Sequence, residues 1–449
     1  GGGLSLSGDT RESGLPRFVN ALFNILPSAL RESEAIKAFR AQKFRWSPTT
    51  FRLSSSLART ANTTTSFTKA AASPTDTGQT VSGLTHFWSN NAQLEFRPTP
   101  SLSASMSARQ LLDLRDYRAT AQVPDSTDRG EAAWAERLSV LGTSLGLERE
   151  RSLTSALQFA PTVSPWLRPR ADFTSSFTLN KDPNARVLLR EGDSTGAYRL
   201  PRRLGAAQSL NMGTTVDFGR LITLRTGDNS RWRRLGNVFA PIDVQWQQSL
   251  TSNYDNTAFI PGYGFQFGLG GLNDFRGTDS RLASTAGRLR RTTLGGSLNL
   301  PFSFTLISRM ENGTTETWTR RSLDGFQALI TSTQVVYPDM RLRWSWRPQK
   351  LKGVISQLNV DGTYNVSEQE TNIPNETGGL ADRSLLTATR RPLSANITWA
   401  FLGNLTTLAQ YSTEEREELR PGALTNTVTG RSSFDVGRSF RLPKSGTTR

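Results

Sequence analysis

The stretch NAQLEFRPTPSLSASMSARQ, residues 91–110, decides the fold class. Two runs of alternating apolar and polar residues flank a turn that contains two prolines. Leu94 and Phe96 alternate with Gln93 and Glu95, and Leu102, Ala104 and Met106 alternate with serines. A period of two places alternate side chains on opposite faces of a strand. The stretch therefore predicts a hairpin with one apolar and one polar face.

The same alternation recurs along most of the chain. It is visible in the ranges 51–57, 172–179, 209–219, 242–247, 293–306, 339–347, 357–366, 394–401 and 434–442. We expect 293–306 to form one long strand, because its alternation is unbroken. Extrapolating the spacing predicts about sixteen to twenty strands, joined by polar turns and by long loops at 69–82, 180–203 and 367–392. Helical patterns are few, and 17–40 and 130–142 could hold short helices.

Composition excludes several classes of site. The 449 residues contain no cysteine and one histidine, His86. A disulfide framework, a thiolate nucleophile and the usual zinc sites are therefore excluded, and we expect neither enzyme activity nor a cofactor. The net charge of +16 could indicate nucleic acid or an anionic surface. Because the arginines are scattered over polar strand faces and turns, a solvated face is favoured over nucleic acid.

No run of about 18 to 20 apolar residues predicts a transmembrane helix, and the first residues do not read as a secretory signal. Either the protein stays in the cytoplasm, or the chain is an internal piece of a longer precursor. No shift in composition marks a linker. We expect a segment of loop and short helix over 1–43 and one antiparallel sheet over 44–449.

The alternation fits two architectures. In a soluble sandwich the apolar faces pack on each other, and the strands are short. In an outer-membrane barrel the apolar faces meet lipid, and the strands need about 9–11 residues. Long strands with tryptophans near their ends, such as Trp246, Trp344 and Trp399, favour the barrel. The apolar side of 91–110 would then face lipid, and its serines and Arg109 would face water.

Three motifs were tested for chemistry. GYGFQFGLGG at 262–271 lacks the third glycine of a dinucleotide fingerprint, because Phe267 stands there. A bulge, a bend or a close backbone contact is expected instead. The acidic run STEEREEL, 412–419, is expected at a solvated hairpin tip rather than as an acid–base pair. His86 lies beside Phe87 and Trp88, where an interfacial aromatic neighbourhood is expected rather than metal ligation.

Several segments, in order, resemble the SprA/Sov family of the type 9 secretion system. FRWSPTTFRLSSSLART (44–60), LEFRPTPSLSASMSA (94–108) and EAAWAERLSVLG (131–142) are similar to successive family segments. PTVSPWLRPRADFTSSFTLN (161–180), SLNMGTTVDFGRLI (209–222) and the segment 237–270 follow, and the end of the chain is similar to the family's late hairpins. The resemblance spans most of 44–443 and is weaker over 271–340.

The resemblance implies part of a very wide antiparallel transmembrane β-barrel in the bacterial outer membrane. This barrel would conduct folded cargo proteins that bear a C-terminal targeting domain, in some bacteria serving gliding motility. Its implied partners are outer-membrane lipid, a PorV-type barrel and a periplasmic plug protein. It also implies that the chain is a C-terminal portion of a longer protein. No catalytic, cofactor or metal residue is carried over.

Two alternatives stay open at this stage. One is another outer-membrane channel, porin-like or lipopolysaccharide-handling, whose strands close on themselves. The other is a soluble β-sandwich binding protein. Because lipid does not tolerate an open sheet edge, we expect a partial barrel to be a curved, open or poorly closed sheet by itself.

Overall fold

The computed structural model consists of antiparallel strands joined by loops and a few short helices. It describes residues 2–7, 45, 47–66, 79–116, 133–140, 143–182, 187–188, 198–226, 236–257, 259–278, 281–320, 327–347, 355–372, 384–401, 405–420 and 422–438. Sixteen strands form one sheet. The prediction of an all-β antiparallel fold is confirmed.

The strands are long, and most of those in the sheet have 12 or more residues. In chain order they are β1 Gly2–Ser7, β2 Thr50–Ser66, β3 Gln79–Thr99, β4 Leu102–Asp113, β5 Arg137–Val140, β6 Thr143–Phe159, β7 Leu167–Lys181, β8 Val187–Leu188, β9 Tyr198–Arg199, β10 Arg202–Val216, β11 Ile242–Thr257, β12 Gly277–Thr278, β13 Arg281–Leu282, β14 Thr285–Leu300, β15 Phe304–Arg320, β16 Gln327–Trp346, β17 Ile355–Asn372, β18 Ser384–Phe401, β19 Leu405–Arg420 and β20 Ala423–Arg438. The helices are α1 Phe218–Thr226, α2 Tyr263–Gln266 and α3 Leu272–Arg276.

Strands that are neighbours in the sheet are mostly neighbours in sequence. The order is β1-β2-β3-β4-β6-β7-β10-β11-β14-β15-β16-β17-β18-β19-β20, with β5 added beside β6. The pairs β8–β9 and β12–β13 form two small ribbons outside this sheet. Within the described residues no pairing joins β1 to β20.

The register of β3 and β4 reproduces the alternation of 91–110. Leu94 pairs with Met106 and Glu95 pairs with Ser105, across a turn at 100–101. Directly paired residues of an antiparallel sheet share one face. We call the face that carries Leu94 and Met106 the apolar face, and the opposite one the polar face. A shift of the register by one residue would move every side chain of a strand to the other face. The pairing of β3 with β4 therefore defines the two faces, and the pairings of the other strands extend them along the sheet.

Several boundaries differ from the expectations. Residues 293–306 form two strands, because a 3₁₀ turn at Pro301–Ser303 separates β14 from β15; proline cannot donate to a ladder, and so it ends the strand. The acidic run 412–419 lies inside β19 rather than at a hairpin tip, and 367–372 belongs to β17 rather than to a loop. Residues 2–7, expected as loop or helix, form β1 paired with β2.

Two further expectations concern helices. The range 130–142 contains a helical turn at 133–135, followed by β5. The range 17–40 lies outside the described residues.

The hydrophobic core lies under a segment that crosses the sheet. Residues 259–278 and 281–284, which we call the strap, carry α2, α3 and the ribbon β12–β13. The strap packs on the apolar face of β6, β7, β10, β11, β14 and β15. The buried cluster between them comprises Leu153, Phe177, Leu179, Leu204, Ala206, Leu250, Tyr254, Phe265, Phe275, Ala283, Ala286 and Trp318.

Candidate functional surfaces

The apolar face leaves many large side chains exposed. Those at least about a third exposed include Leu53, Leu157, Met212, Val244, Leu294, Leu300, Met310, Met340, Leu342, Trp346, Tyr364, Tyr411, Phe434 and Val436. A contiguous apolar surface of this extent on a folded protein marks a partner or a membrane. We call this set the apolar band.

The apolar band occupies only part of a strand's length. On β14 it lies at the end beside Pro301, from Leu294 to Leu300, while Arg288 and Arg290 further along the same face are polar.

Aromatic rings line one margin of the apolar band. Phe304 and Trp344 stack with ring centroids 5.4 Å apart, and Trp344 stacks on Trp346 at 6.2 Å. The Nε1 of Trp344 donates a hydrogen bond of 3.0 Å to the carbonyl oxygen of Phe302. Such rings, apolar in body with one polar tip, are enriched where a membrane meets water. This margin lies at the turn Pro301–Ser303, where Phe302 is 86% exposed.

Ion pairs cross the polar face behind the apolar band. Arg170 pairs with Asp243 at 3.0 Å, and Thr215 donates to the same carboxylate at 2.8 Å. Further along the sheet Arg291 and Arg309 share Glu311, Arg341 and Arg343 share Asp361, and Arg391 pairs with Glu414. Most of these side chains are half-exposed, as expected for a hydrated surface. The same strand segments therefore carry charge on one face and large apolar groups on the other.

One part of the polar face, in the middle of β4, β6, β7, β10 and β11, is lined differently. It carries small hydroxyl-bearing side chains: Ser105, Ser107, Thr154, Thr174, Ser176, Ser209 and Ser249. They line a shallow depression of about 420 Å³. Ser107 and Thr154 are hydrogen-bonded across strands. This part of the polar face is polar without being charged.

The strap is held to the apolar face by polar as well as apolar contacts. Ser175 Oγ donates to the carbonyl oxygen of Phe267 at 2.8 Å, and the Tyr254 hydroxyl donates to that of Asp274 at 3.0 Å. Phe265 lies 5.2 Å from Phe275 and 6.5 Å, edge to face, from Phe177. A hydrogen-bonded contact beside a buried aromatic cluster fixes the strap in one position.

Gly268 lets the strap approach the sheet closely. Its φ is +70°, a conformation that side chains disfavour, and a Cβ there would overlap Cβ of Ser175. The close backbone contact expected for 262–271 is confirmed at this glycine.

A largely buried group of charged side chains lies where β5 and β10 begin and β7 ends. Glu136 accepts hydrogen bonds from Arg202 at 2.9 Å and from Lys181 at 3.1 Å. Burial by itself raises the pKa of Glu136, but the hydrogen bonds and charges of Arg202 and Lys181 outweigh burial, and the pKa is lowered. The carboxylate therefore stays ionised and ties the helical turn at 133–135 to the sheet.

The described residues carry few groups suited to catalysis or metal binding. In this part of the chain no group of three His, Cys, Asp or Glu side chains could hold a metal ion. His86 lies in β3, paired with Arg59 across the sheet and next to Phe87 and Trp88 in sequence. Each described helix is too short or too polar to cross a bilayer.

No protein-family model matches this chain, and no curated protein matches it. The function must therefore be argued from the two faces and the strap.

Sequence reasoning missed the strap. The signal was present in GYGFQFGLGG, for which a bulge, a bend or a close backbone contact was expected, but the burial of its aromatic side chains was not. The alternation identifies the two faces of each strand, but it does not show that a distant loop covers one of them. The partners of Phe265 and Phe275 become visible only in three dimensions.

Proposed function

We propose that this chain forms a section of the wall of a β-barrel channel in a bacterial outer membrane. The single observation that carries the proposal is the placement of the apolar band and the ion pairs on opposite faces of the same strand segments. A barrel wall has this construction, with lipid on one side and water on the other. A soluble sandwich would cover the apolar band with a second sheet, and in the described residues only the strap covers part of it.

A pair of arginine substitutions on β14 tests the wall. Leu298→Arg would place a charge in the apolar band, and Ser297→Arg would place the same charge one residue away on the polar face. In lipid vesicles we expect Leu298→Arg to lower the free energy of unfolding by about 2–4 kcal/mol. Ser297→Arg should change it by less than about 0.5 kcal/mol, as for an ordinary solvated position.

Denaturant unfolding in vesicles, followed by tryptophan fluorescence, measures both variants. Equal, small effects would mean that the apolar band does not meet lipid, and the proposed function would fail. A large effect at Ser297 alone would mean that lipid contacts the opposite face.

The finer proposal is that the channel is a protein-conducting translocon of the type 9 secretion system, in which folded cargo crosses a polar lumen. It is supported by the ordered resemblance of 44–270 and of the late hairpins to the SprA/Sov family. Its proposed partners are cargo proteins with C-terminal targeting domains, a PorV-type barrel and a periplasmic plug. Transport of this kind uses the shape and polarity of a lumen rather than a catalytic residue.

Disruption of the gene in its own host tests the finer proposal. We expect cargo with C-terminal targeting domains to disappear from the cell surface and accumulate in the periplasm. Normal surface cargo in the disrupted strain would reject the translocon and would leave a different outer-membrane channel as the proposal.

A further inference from the structure

A groove lies where the strap meets the apolar face of β2, β3 and β4. It has a volume of about 400 Å³, within the range of small-molecule sites. One wall is the sheet, with Leu53, Ala92, Met106 and Ala108, and the other is the strap, with Tyr263 and Phe267. Leu153 closes the floor. The groove is therefore lined mainly by apolar groups from two separate parts of the chain.

The polar groups at the end of the groove bond to one another. Arg151 donates from Nε and from one terminal nitrogen to Glu148, at 2.8 and 3.0 Å, and Gln110 donates to the same carboxylate at 2.8 Å. Gln266 donates to the carbonyl oxygen of Pro261 at 2.7 Å. The charge of Arg151 is thus offset by Glu148.

Asn90 accepts a hydrogen bond from Ser55 at 2.9 Å, and Asn91 and Arg109, which also line the groove, occupy polar-face positions of β3 and β4. The polar side chains on the apolar face of the groove are therefore bonded within the protein.

The sheet wall offers no strand edge. β3 is paired with β2 and β4, and β4 is paired with β6, so the backbone groups beneath the groove are already hydrogen-bonded. Among the described residues, none that lines the groove has a buried polar side-chain atom without a partner. A peptide would bring backbone groups that need partners. A hydrocarbon chain needs none.

The groove opens into the apolar band. On the same face, Leu94 and Phe51 are paired across β2 and β3, next to Ala92 and Leu53 in the groove. Tyr263 is 70% exposed at the rim. Lipid that covers the band would therefore have an unbroken apolar path into the groove.

We propose that the groove holds an acyl chain of a membrane lipid, packed between the strap and the sheet. This inference rests on the proposed function, because it requires lipid against the apolar band. The strap then shapes the lipid-facing surface, in addition to covering the core. Tyr263 would lie at the level of the head groups, as amphipathic aromatic side chains do at membrane surfaces.

Photocrosslinking from the lipid tests the groove. The full chain is reconstituted in vesicles that contain phosphatidylethanolamine with a diazirine in one acyl chain, and the adducts are mapped by mass spectrometry after proteolysis. We expect adducts on the strap peptide that contains Tyr263 and Phe267, and on the peptide that contains Leu294 to Leu306. The first set reports the groove, and the second reports the apolar band far from it.

Replacing either of two alanines by phenylalanine distinguishes lipid bound in the groove from lipid that only touches the surface of the strap. Ala92→Phe fills the groove, while Ala104→Phe adds the same ring on the same face outside it. We expect Ala92→Phe to abolish the strap adducts and keep the adducts on 294–306. Ala104→Phe should keep both. An unfolding curve for each variant shows whether the sheet is intact, and Tyr263→Phe serves as a second variant at an exposed position that should retain the adducts.

The outcomes are distinguishable. Strap adducts that are absent, or that survive Ala92→Phe, would overturn the acyl-chain inference while adducts on 294–306 uphold the lipid-facing wall. A protein–protein crosslink in place of the strap adducts would assign the groove to a second chain and would also overturn it. The absence of adducts from both peptides would reject the proposed function together with the inference.

Discussion

Two regions of the sheet share one sequence pattern and differ in what covers them. In the strapped half (β6, β7, β10, β11, β14 and β15) the apolar face is buried under the strap near Phe177 and Tyr254. In the bare half, β16 to β20, it is open, and every residue of β20 is exposed. The polar faces differ in part as well: β16 to β19 carry ion pairs, whereas β6 to β11 carry a patch of hydroxyl groups beside the ion pair of Arg170 with Asp243. The alternation therefore determines which side chains share a face, and the strap determines whether the apolar side chains on that face are buried or exposed.

The two halves of the sheet are stabilised in different ways. The strapped half has a water-excluding core of its own, which is rigid because aromatic rings and hydrogen bonds fix the strap. The bare half has few buried residues, such as Ala388 and Thr407. Its strands depend on neighbouring strands and on whatever covers its apolar face. Stability of the bare half should therefore respond strongly to the surrounding solvent or lipid.

The largest expected effect comes from truncating a ring in each half. Phe275→Ala removes a fully buried ring of the strap, and Phe434→Ala removes a ring that is 65% exposed on β20. We expect Phe275→Ala to cost about 3–5 kcal/mol, because it leaves a cavity. Phe434→Ala should cost no more than about 1.5–3 kcal/mol even in lipid, because lipid fills the space and only the transfer free energy is lost.

Denaturant unfolding in vesicles and in detergent compares the two rings. A cost at Phe434 equal to that at Phe275 would break the comparison, because it would mean that β20 is packed as tightly as the strap.

Two glycines, one in the strap and one in a strand outside it, give an intermediate effect. Gly268→Ala adds a Cβ at φ +70° and against Ser175, whereas Gly295→Ala on β14 meets nothing within 4 Å. We expect Gly268→Ala to cost at least about 1–2 kcal/mol from the conformation alone, and to loosen the strap. Gly295→Ala should be neutral or stabilising by up to about 1 kcal/mol.

Hydrogen exchange of the strap amides, measured with the free energy of unfolding, sharpens this comparison. Protection of 259–276 should fall in Gly268→Ala and stay unchanged in Gly295→Ala. A strap that keeps full protection in Gly268→Ala would mean that the close approach to Ser175 does not hold it.

The smallest expected effect is a pH dependence. Because the folded state lowers the pKa of Glu136, its ionised form stabilises the fold above the ordinary glutamate pKa of 4.5. This contribution is lost as the pH falls below 4.5 through the lowered folded value. In Glu136→Gln the contribution is absent, and so the difference in stability between wild type and variant should shrink on acidification.

Glu414→Gln is the control in the bare half. Its partner Arg391 and Glu414 itself are both about half-exposed, and such pairs contribute about 0–1 kcal/mol. We expect little change at any pH from 7 to 3. Unfolding curves across this range measure both variants. If the difference in free energy of unfolding between the wild type and Glu136→Gln did not change with pH, the ionised carboxylate of Glu136 would not stabilise the fold.

Much of the sheet could be predicted from alternation because the period of two is a local property of the backbone. Leu94 and Met106 were expected on one face, and they pair directly. The boundary at Pro301 was missed, because the alternation of Leu300, Phe302 and Phe304 passes through the turn without a break. The run 412–419 was misplaced because a cluster of charged residues is typical of a solvated turn, whereas here it lies within β19.

The candidate surfaces were predictable only in part. Aromatic side chains near strand ends suggested a membrane margin, and Trp344 and Trp346 do stack beside Phe304. The ion pairs of the polar face depend on cross-strand register, which brings Arg341 next to Asp361 from 20 residues away. The groove depends on a still longer contact, between 92–108 and 263–267.

By itself the sequence determined the class of the fold, the two faces of each strand and the absence of cysteine chemistry, because these follow from composition and from the local period. Only the tertiary structure decided that the strap covers one part of the apolar face and leaves the rest bare. Burial depends on which distant segments meet, and chain contacts between residues about a hundred positions apart, such as Ser175 and Phe267, leave no periodic signal.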